Sequence, residues 1–259
     1  MAAEEEQFEL ELLGGAVGKR WRRQQAPLEE LPWRSIKRGS AEARLGWTRA
    51  ALQEHASAAA QAVLVRALVA ARAPLDLTGL AARLPQDELA HAELCARVAL
   101  SLGGASAVTY RREAIFATAP PGDDPRLEAT ELVVSTLCVS ESWSYALLRE
   151  LQEKHSHPGL RAVWARIYRD EALHARLGWI FLDWLGDPGK GARLRLAQAA
   201  ARTAEAIRAG GRAAAARPAE LFGPSCPLAG LSPETYAQRS ERWLERSCLL
   251  PLRKRGIPV

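Results

Sequence analysis

The chain is poor in cysteine: four in 259 residues, far apart, with no C-x-x-C pair. That spacing excludes a disulfide framework and a cysteine-based zinc site, and it suits free thiols in a reducing compartment. No apolar run approaches the roughly 20 residues of a membrane-spanning helix. The opening Met1-Ala2-Ala3-Glu4-Glu5-Glu6 is acidic and lacks the basic start and apolar core of a signal peptide. A cytoplasmic location with no membrane partner is therefore expected. β-branched runs are few, and no glycine-rich flavin or nicotinamide fingerprint occurs. Alanine, leucine and arginine dominate, which favours an all-α chain.

At 48% hydrophobic, the chain can bury a substantial core. Its net charge of +5 is mildly basic. The excess gathers in Lys19-Arg20, Arg22-Arg23 and Arg253-Lys254-Arg255, where solvated termini are a simpler reading than a nucleic-acid patch.

What the chain does contain is one pattern twice. Asp87-Glu88-Leu89-Ala90-His91 and Asp170-Glu171-Ala172-Leu173-His174 both spell D-E-x-x-H. On a helix, residues i and i+3 share a face, so Glu88 with His91, and Glu171 with His174, can each grip a metal ion. Glu54 and Glu141 complete the set. The point midway between Glu54 and Glu88 falls beside Ala73-Pro74, and that between Glu141 and Glu171 falls in His155-Ser156-His157-Pro158. Both are breaker segments, so each half reads as Glu, turn, Glu-x-x-His.

The helical periods predict four core helices. The first runs from Ala41 to Arg72, with Trp47, Ala51, Glu54, Ala58 and Gln61 inward. The second starts near Asp76 as N-cap and carries Glu88, His91 and Cys95. Pro85 must restart or kink it within one turn of Leu84. The third spans Pro125 to Lys154, and the fourth Pro158 to Leu185. Residues 104–125, with the breaker cluster Thr118 to Pro125, read as a long crossover between the second and third. Three regions follow: an arm at 1–40, anchored by Trp21 and Trp33; the ligand-bearing helices at 41–186; and a helical extension at 187–259, with helices near 190–215 and 233–249, packed outside.

Six carboxylate and imidazole groups at the centres of apolar stripes would be costly to bury without a cation. The set Glu54, Glu88, His91, Glu141, Glu171, His174 resembles the ferritin-like carboxylate-bridged di-iron proteins, over roughly residues 44–186. The resemblance implies a ferritin-like four-helix bundle with a long helix 2–3 crossover. It implies two iron ions bridged by Glu88 and Glu171, with Glu54 and Glu141 more terminal; manganese or a mixed manganese–iron pair is the alternative. It pairs Asp87 with His174 and Asp170 with His91. Cys95, one turn after His91, stands where ribonucleotide reductase small subunits carry a radical tyrosine, so the chain departs from that pattern. Cys95, Tyr145 and Tyr168 are candidate catalytic or pocket residues.

The activity implied is an oxygenase or oxidase that uses O₂ to hydroxylate or desaturate an organic substrate. It would draw electrons from an external donor, a ferredoxin or a reductase, and a homodimer is allowed. A ferroxidase or iron-handling protein and a tRNA-modifying hydroxylase are the alternatives. Ala51, Ala58, Cys95, Tyr145 and Gly178 beside the site predict a closed, largely apolar cavity.

Overall fold

The structure is a computed structural model and describes residues 5–11, 14–24, 31–112 and 124–259. Residues 118–123 of the predicted breaker cluster lie outside these. The described chain is mostly helical. No helix in it is long and apolar enough to cross a membrane.

Strand β1 (Glu5–Gln7) is followed by helix α1 (Gly15–Gln24), then α2 (Ala41–Ala70), α3 (Leu75–Ala81) and α4 (Leu84–Ser101). Strand β2 (Thr109–Arg111) pairs antiparallel with β1, with Glu6 opposite Tyr110. The arm is thus tied to the crossover by a ribbon that the sequence pattern does not announce, since three residues are too few to show a period. Its helix α1 is anchored as expected: Trp21 Nε1 donates to Glu93 Oε2 over 2.7 Å.

Helix α2 starts at the N-cap Ser40, whose hydroxyl accepts from Ala43 N–H at 3.1 Å. The predicted Asp76 cap is corrected. Pro74 is the N-cap of α3, and Asp76 lies in the first turn, where its Oδ1 accepts from Leu77 N–H. Pro85 behaves as expected. Helix α4 begins at Leu84, which puts the proline in the first turn, where its missing N–H costs nothing. Gly39 N–H donates to Leu102 O, so the start of α2 meets the end of α4 and the two run antiparallel.

Helix α5 (Pro125–Leu132) is capped by Asp124, which accepts from Arg126 and Leu127 N–H. It passes into a π-helical stretch (Val133–Glu141) and then α6 (Ser142–Lys154). After a turn comes α7 (Pro158–Leu185), capped by His157 Nδ1, which accepts from Gly159 and Leu160 N–H. Gly186, at φ 71°, ends it.

The π stretch is held from two sides. The Ser142 hydroxyl donates to Leu137 O and the Cys248 thiol to Val139 O. Opposite it, a Cβ on Gly178 would lie 2.7 Å from Leu137 Cβ and 2.8 Å from Cys138 Sγ. The missing side chain of Gly178 is therefore filled by the neighbouring helix and does not leave the cavity space that was expected there.

The extension comprises α8 (Lys190–Ala215), α9 (Pro218–Leu221), α10 (Pro233–Trp243), a second π stretch (Leu244–Leu249) and α11 (Leu250–Lys254). It packs on the ligand-bearing helices. Trp143 Nε1 donates to Ser240 Oγ at 3.0 Å, and Arg239 pairs with Glu150. Two apolar clusters result. One surrounds Trp47, Leu94 and Ile167, the other Leu64, Leu137 and Phe181.

Candidate metal centre

Each of the six residues singled out by the repeat comes from a helix, and the folding of two hairpins brings all six together. Glu54 comes from α2, Glu88 and His91 from α4, Glu141 from the end of the π stretch, and Glu171 and His174 from α7. Five are buried; Glu54 keeps 21% of its side-chain surface exposed.

The atoms fall into two groups that could hold a metal ion: Glu54, Glu88, His91, Glu171, and Glu88, Glu141, Glu171, His174. Within each group the ligand atoms lie within 4.8 Å of one another. Glu88 and Glu171 belong to both. The two halves mirror each other. His91 Nδ1 is 3.2 Å from Glu171 Oε1 and 3.7 Å from Glu88 Oε2. His174 Nδ1 is 3.2 Å from Glu88 Oε1 and 2.9 Å from Glu171 Oε2. Each half adds one carboxylate at 4.0 Å, Glu54 for His91 and Glu141 for His174.

The electrostatics are those of a buried cluster of mutually interacting carboxylates and imidazoles. Burial, reinforced by neighbouring carboxylates such as Glu88, pushes the Glu54 carboxyl well above its usual range. Burial and Glu171 do the same to Glu141. Burial opposes a charged His91, yet Asp170, Glu171 and Glu88 hold its pKa well above the ordinary imidazole value. Burial likewise opposes a charged His174, and Glu171, Asp87 and Glu88 raise it. Glu88 and Glu171 are lowered, against burial, by the two imidazoles. Protons thus neutralise the metal-free cluster, and a metal would displace them.

The donor set fits a metal. All four imidazole nitrogens, Glu88 Oε1 and Glu171 Oε2 are buried without a well-formed hydrogen bond. Such orphaned atoms are costly unless something fills their lone pairs. Carboxylate oxygens with two imidazoles are donors suited to a divalent transition-metal ion.

Around this set, Asp170 Oδ2 lies 3.8 Å from His91 Nε2, and Asp87 Oδ2 lies 3.5 Å from His174 Nε2. The aspartate of each motif therefore faces the histidine of the other, slightly beyond hydrogen-bond length. Asp170 is also held by Arg166 Nε at 2.6 Å. Sequence reasoning placed Gln61 on the inward stripe but gave it no role at the site. It is fully buried, and its Nε2 donates to Glu141 Oε1 at 2.7 Å. The signal was present: Gln61 follows Glu54 by two turns on the same inward stripe.

The three residues proposed for catalysis are placed differently, Cys95 close to Glu54 and Glu88 and the two tyrosines on another face. Cys95 is fully buried in apolar core beneath the carboxylates, and burial pushes its thiol pKa well up. Tyr145 and Tyr168 stack on each other, with centroids 4.5 Å apart, half-exposed on the α6/α7 face.

A cavity of about 550 Å³ opens directly on Glu54, Glu88, Glu141 and Glu171. None of Ala51, Ala58, Cys95, Tyr145 or Gly178 lines it. Helix geometry explains the miss at Tyr145. Relative to Glu141, Tyr145 turns about 40° one way, while Ser144 turns about 60° the other. The cavity lies on the Ser144 side, with Leu147, Leu148 and Leu151.

The far wall comes from the extension, through Ile207, Leu221, Leu228 and Tyr236. The segment at 225–227, whose Pro227 joins that wall, is pinned by three side chains. Trp47 Nε1 donates to Ser225 O, His155 Nε2 to Cys226 O and Trp164 Nε1 to Pro227 O. Gly46 lets both α9 and that segment approach α2; a Cβ there would strike the Glu220 carbonyl and lie 2.9 Å from Pro227 Cδ. The cavity is not closed as expected. Exposed Gln53 and half-exposed Arg49 stand at its edge.

No protein-family model, no curated protein and no solved structure matches the chain.

Proposed function

We propose that this protein is a ferritin-like di-iron oxygenase or oxidase acting on a small organic substrate. One observation carries the reading: two ligand groups share Glu88 and Glu171 and open on an apolar-walled cavity large enough for an organic molecule. Glu88 and Glu171 would bridge two iron ions, with Glu54 and His91 completing one side and Glu141 and His174 the other. Bound iron would supply O₂ activation, with electrons from an external donor.

The chain's own residues do the rest. Gln61 fixes Glu141 through its amide. Asp87 and Asp170 face the outer nitrogens of His174 and His91 and favour the tautomer that offers Nδ1 to the metal. Leu147, Leu148 and Leu151 keep one wall dry, and the pinned 225–227 segment joins the far wall. The cavity favours this reading over a ferroxidase. Its walls beyond the glutamates are mainly apolar, and the arginines at its edge would repel incoming iron.

The test is rapid mixing of metal-free protein with excess Fe(II) and O₂. An oxygenase should oxidise about two iron equivalents per chain and then stop. Continued oxidation of many equivalents, with mineral formation, would defeat the reading and favour the ferroxidase.

A further inference from the structure

The cavity carries two arginines that the six clustered carboxylates and imidazoles do not engage. Arg49, on α2, and Arg217, just before α9, both line it. The only carboxylate paired with either among the described residues is Glu220. Its Oε2 lies 3.2 Å from Arg49 Nε and 3.5 Å from Arg217 Nη1. One carboxylate oxygen is thus shared by two guanidiniums. The group keeps a net positive charge; Arg217 Nε also donates to Ala213 O at 3.3 Å, and most of the other N–H donors have no carboxylate partner among the described residues. Arg49 Nε is buried without a well-formed hydrogen bond, so this shared contact leaves it unsatisfied. A guanidinium matches a carboxylate through two parallel N–H donors, which Glu220 does not engage.

The same cavity has an apolar wall of Leu147, Leu148 and Leu151 from α6 and Trp164 from α7, with Gln53, Ser57 and Ser144 as polar neighbours. Arg49 precedes Glu54 by five residues, about 7.5 Å along the helix. A ligand anchored at the arginines therefore reaches the metal centre with its apolar part.

Resting on the di-iron reading, we propose that the substrate is an apolar monocarboxylic acid. Its carboxylate docks on Arg49 and Arg217, and its hydrocarbon body lies along the Leu148 wall toward Glu54 and Glu171. Glu220 holds the two arginines in place and competes with the ligand for them.

Calorimetric titration of anaerobic iron-loaded protein with decanoate and with decanol tests this, because the two probes share a body and differ in the head. Decanoate should bind at least about 10-fold more tightly. Arg49→Gln and Arg217→Gln should each weaken decanoate about 5- to 20-fold and leave decanol within about twofold. Glu220→Gln should tighten decanoate, a gain that a merely structural role would not give. Glu171→Ala should lose iron yet keep the preference for decanoate over decanol, so loss of the metal and loss of carboxylate selectivity are separate results. Equal binding of the two probes would overturn the assignment. So would decanoate binding that requires iron but ignores both arginines, since the carboxylate would then be a metal ligand.

Discussion

The two halves of the cluster are built from the same sequence pattern and finished differently. In the half with Glu54 and His91, the outer carboxylate sits on a regular α-helix, remains a fifth exposed and looks into the cavity beside Gln53. In the half with Glu141 and His174, it ends a π-helical stretch, is buried and receives the Gln61 amide. π-helical turns cluster at functional sites because they re-aim a side chain within a continuous helix. The difference teaches that the repeat fixes which atoms converge, while their surroundings divide the labour. Both halves open on the cavity, but one is braced and buried while the other is unbraced and partly exposed.

Substitutions that erase the shared ligands should have the largest effect, because they break both halves at once. Glu88→Ala and Glu171→Ala should each remove most of the bound iron, read by elemental analysis. Retention of full iron in Glu171→Ala would show that this residue does not bridge. Next come the aspartates. Asp87→Ala and Asp170→Ala should fold and bind metal about 10- to 100-fold more weakly. Competition with a chelator measures this, and a wild-type affinity in both would remove the orienting role.

The braced half should respond to Gln61 where the open half has no counterpart. Gln61→Leu leaves Glu141 without its donor and should lower stability by about 1–3 kcal/mol, or weaken one metal equivalent selectively. Gly178→Ala probes the same half through packing, since Cys138 and Leu137 already occupy the space of its side chain. Overpacking there should cost about 1–3 kcal/mol in chemical denaturation. An unchanged midpoint would mean that the π stretch gives way freely.

The smallest effect concerns pH. His155, in the turn of the second hairpin, is buried and uses both nitrogens while neutral. Nε2 donates to Cys226 O, and Nδ1 accepts from His157 N–H. Burial lowers its pKa below the ordinary imidazole value, so the unfolded chain takes up a proton first as pH falls. The stability it contributes is complete above about pH 6.5 and declines below it. The melting temperature of the metal-loaded protein should fall between pH 7.5 and 5.5, and His155→Gln should flatten part of that slope. An unchanged slope would assign the pH dependence to other groups.

Much of this arrangement was legible in the sequence, for reasons that differ by element. The limits of α7 were readable because Pro158 opens it and Gly186 closes it. The start of α4 followed from what a proline ring forbids. The six clustered residues followed from a repeat whose spacing only a helix turns into one face. The π stretch was hidden because it shifts hydrogen bonds by one residue and leaves the apolar period nearly intact. Tyr145 was misplaced because 40° and −60° both count as inward on a stripe, and only the neighbouring helices decide between them. The cavity's far wall was out of reach for another reason. Leu221, Leu228 and Tyr236 join Glu54 only through tertiary packing across more than a hundred residues of chain, which no local pattern encodes.

Anaerobic titration of metal-free protein with Fe(II) tests the central claim most directly. Followed by calorimetry with proton release recorded in two buffers, it should saturate at two ions per chain. Protons should be released as the ions displace them from Glu54, Glu141 and the two histidines. Saturation at a single ion, or binding without proton release, would contradict the shared-carboxylate centre.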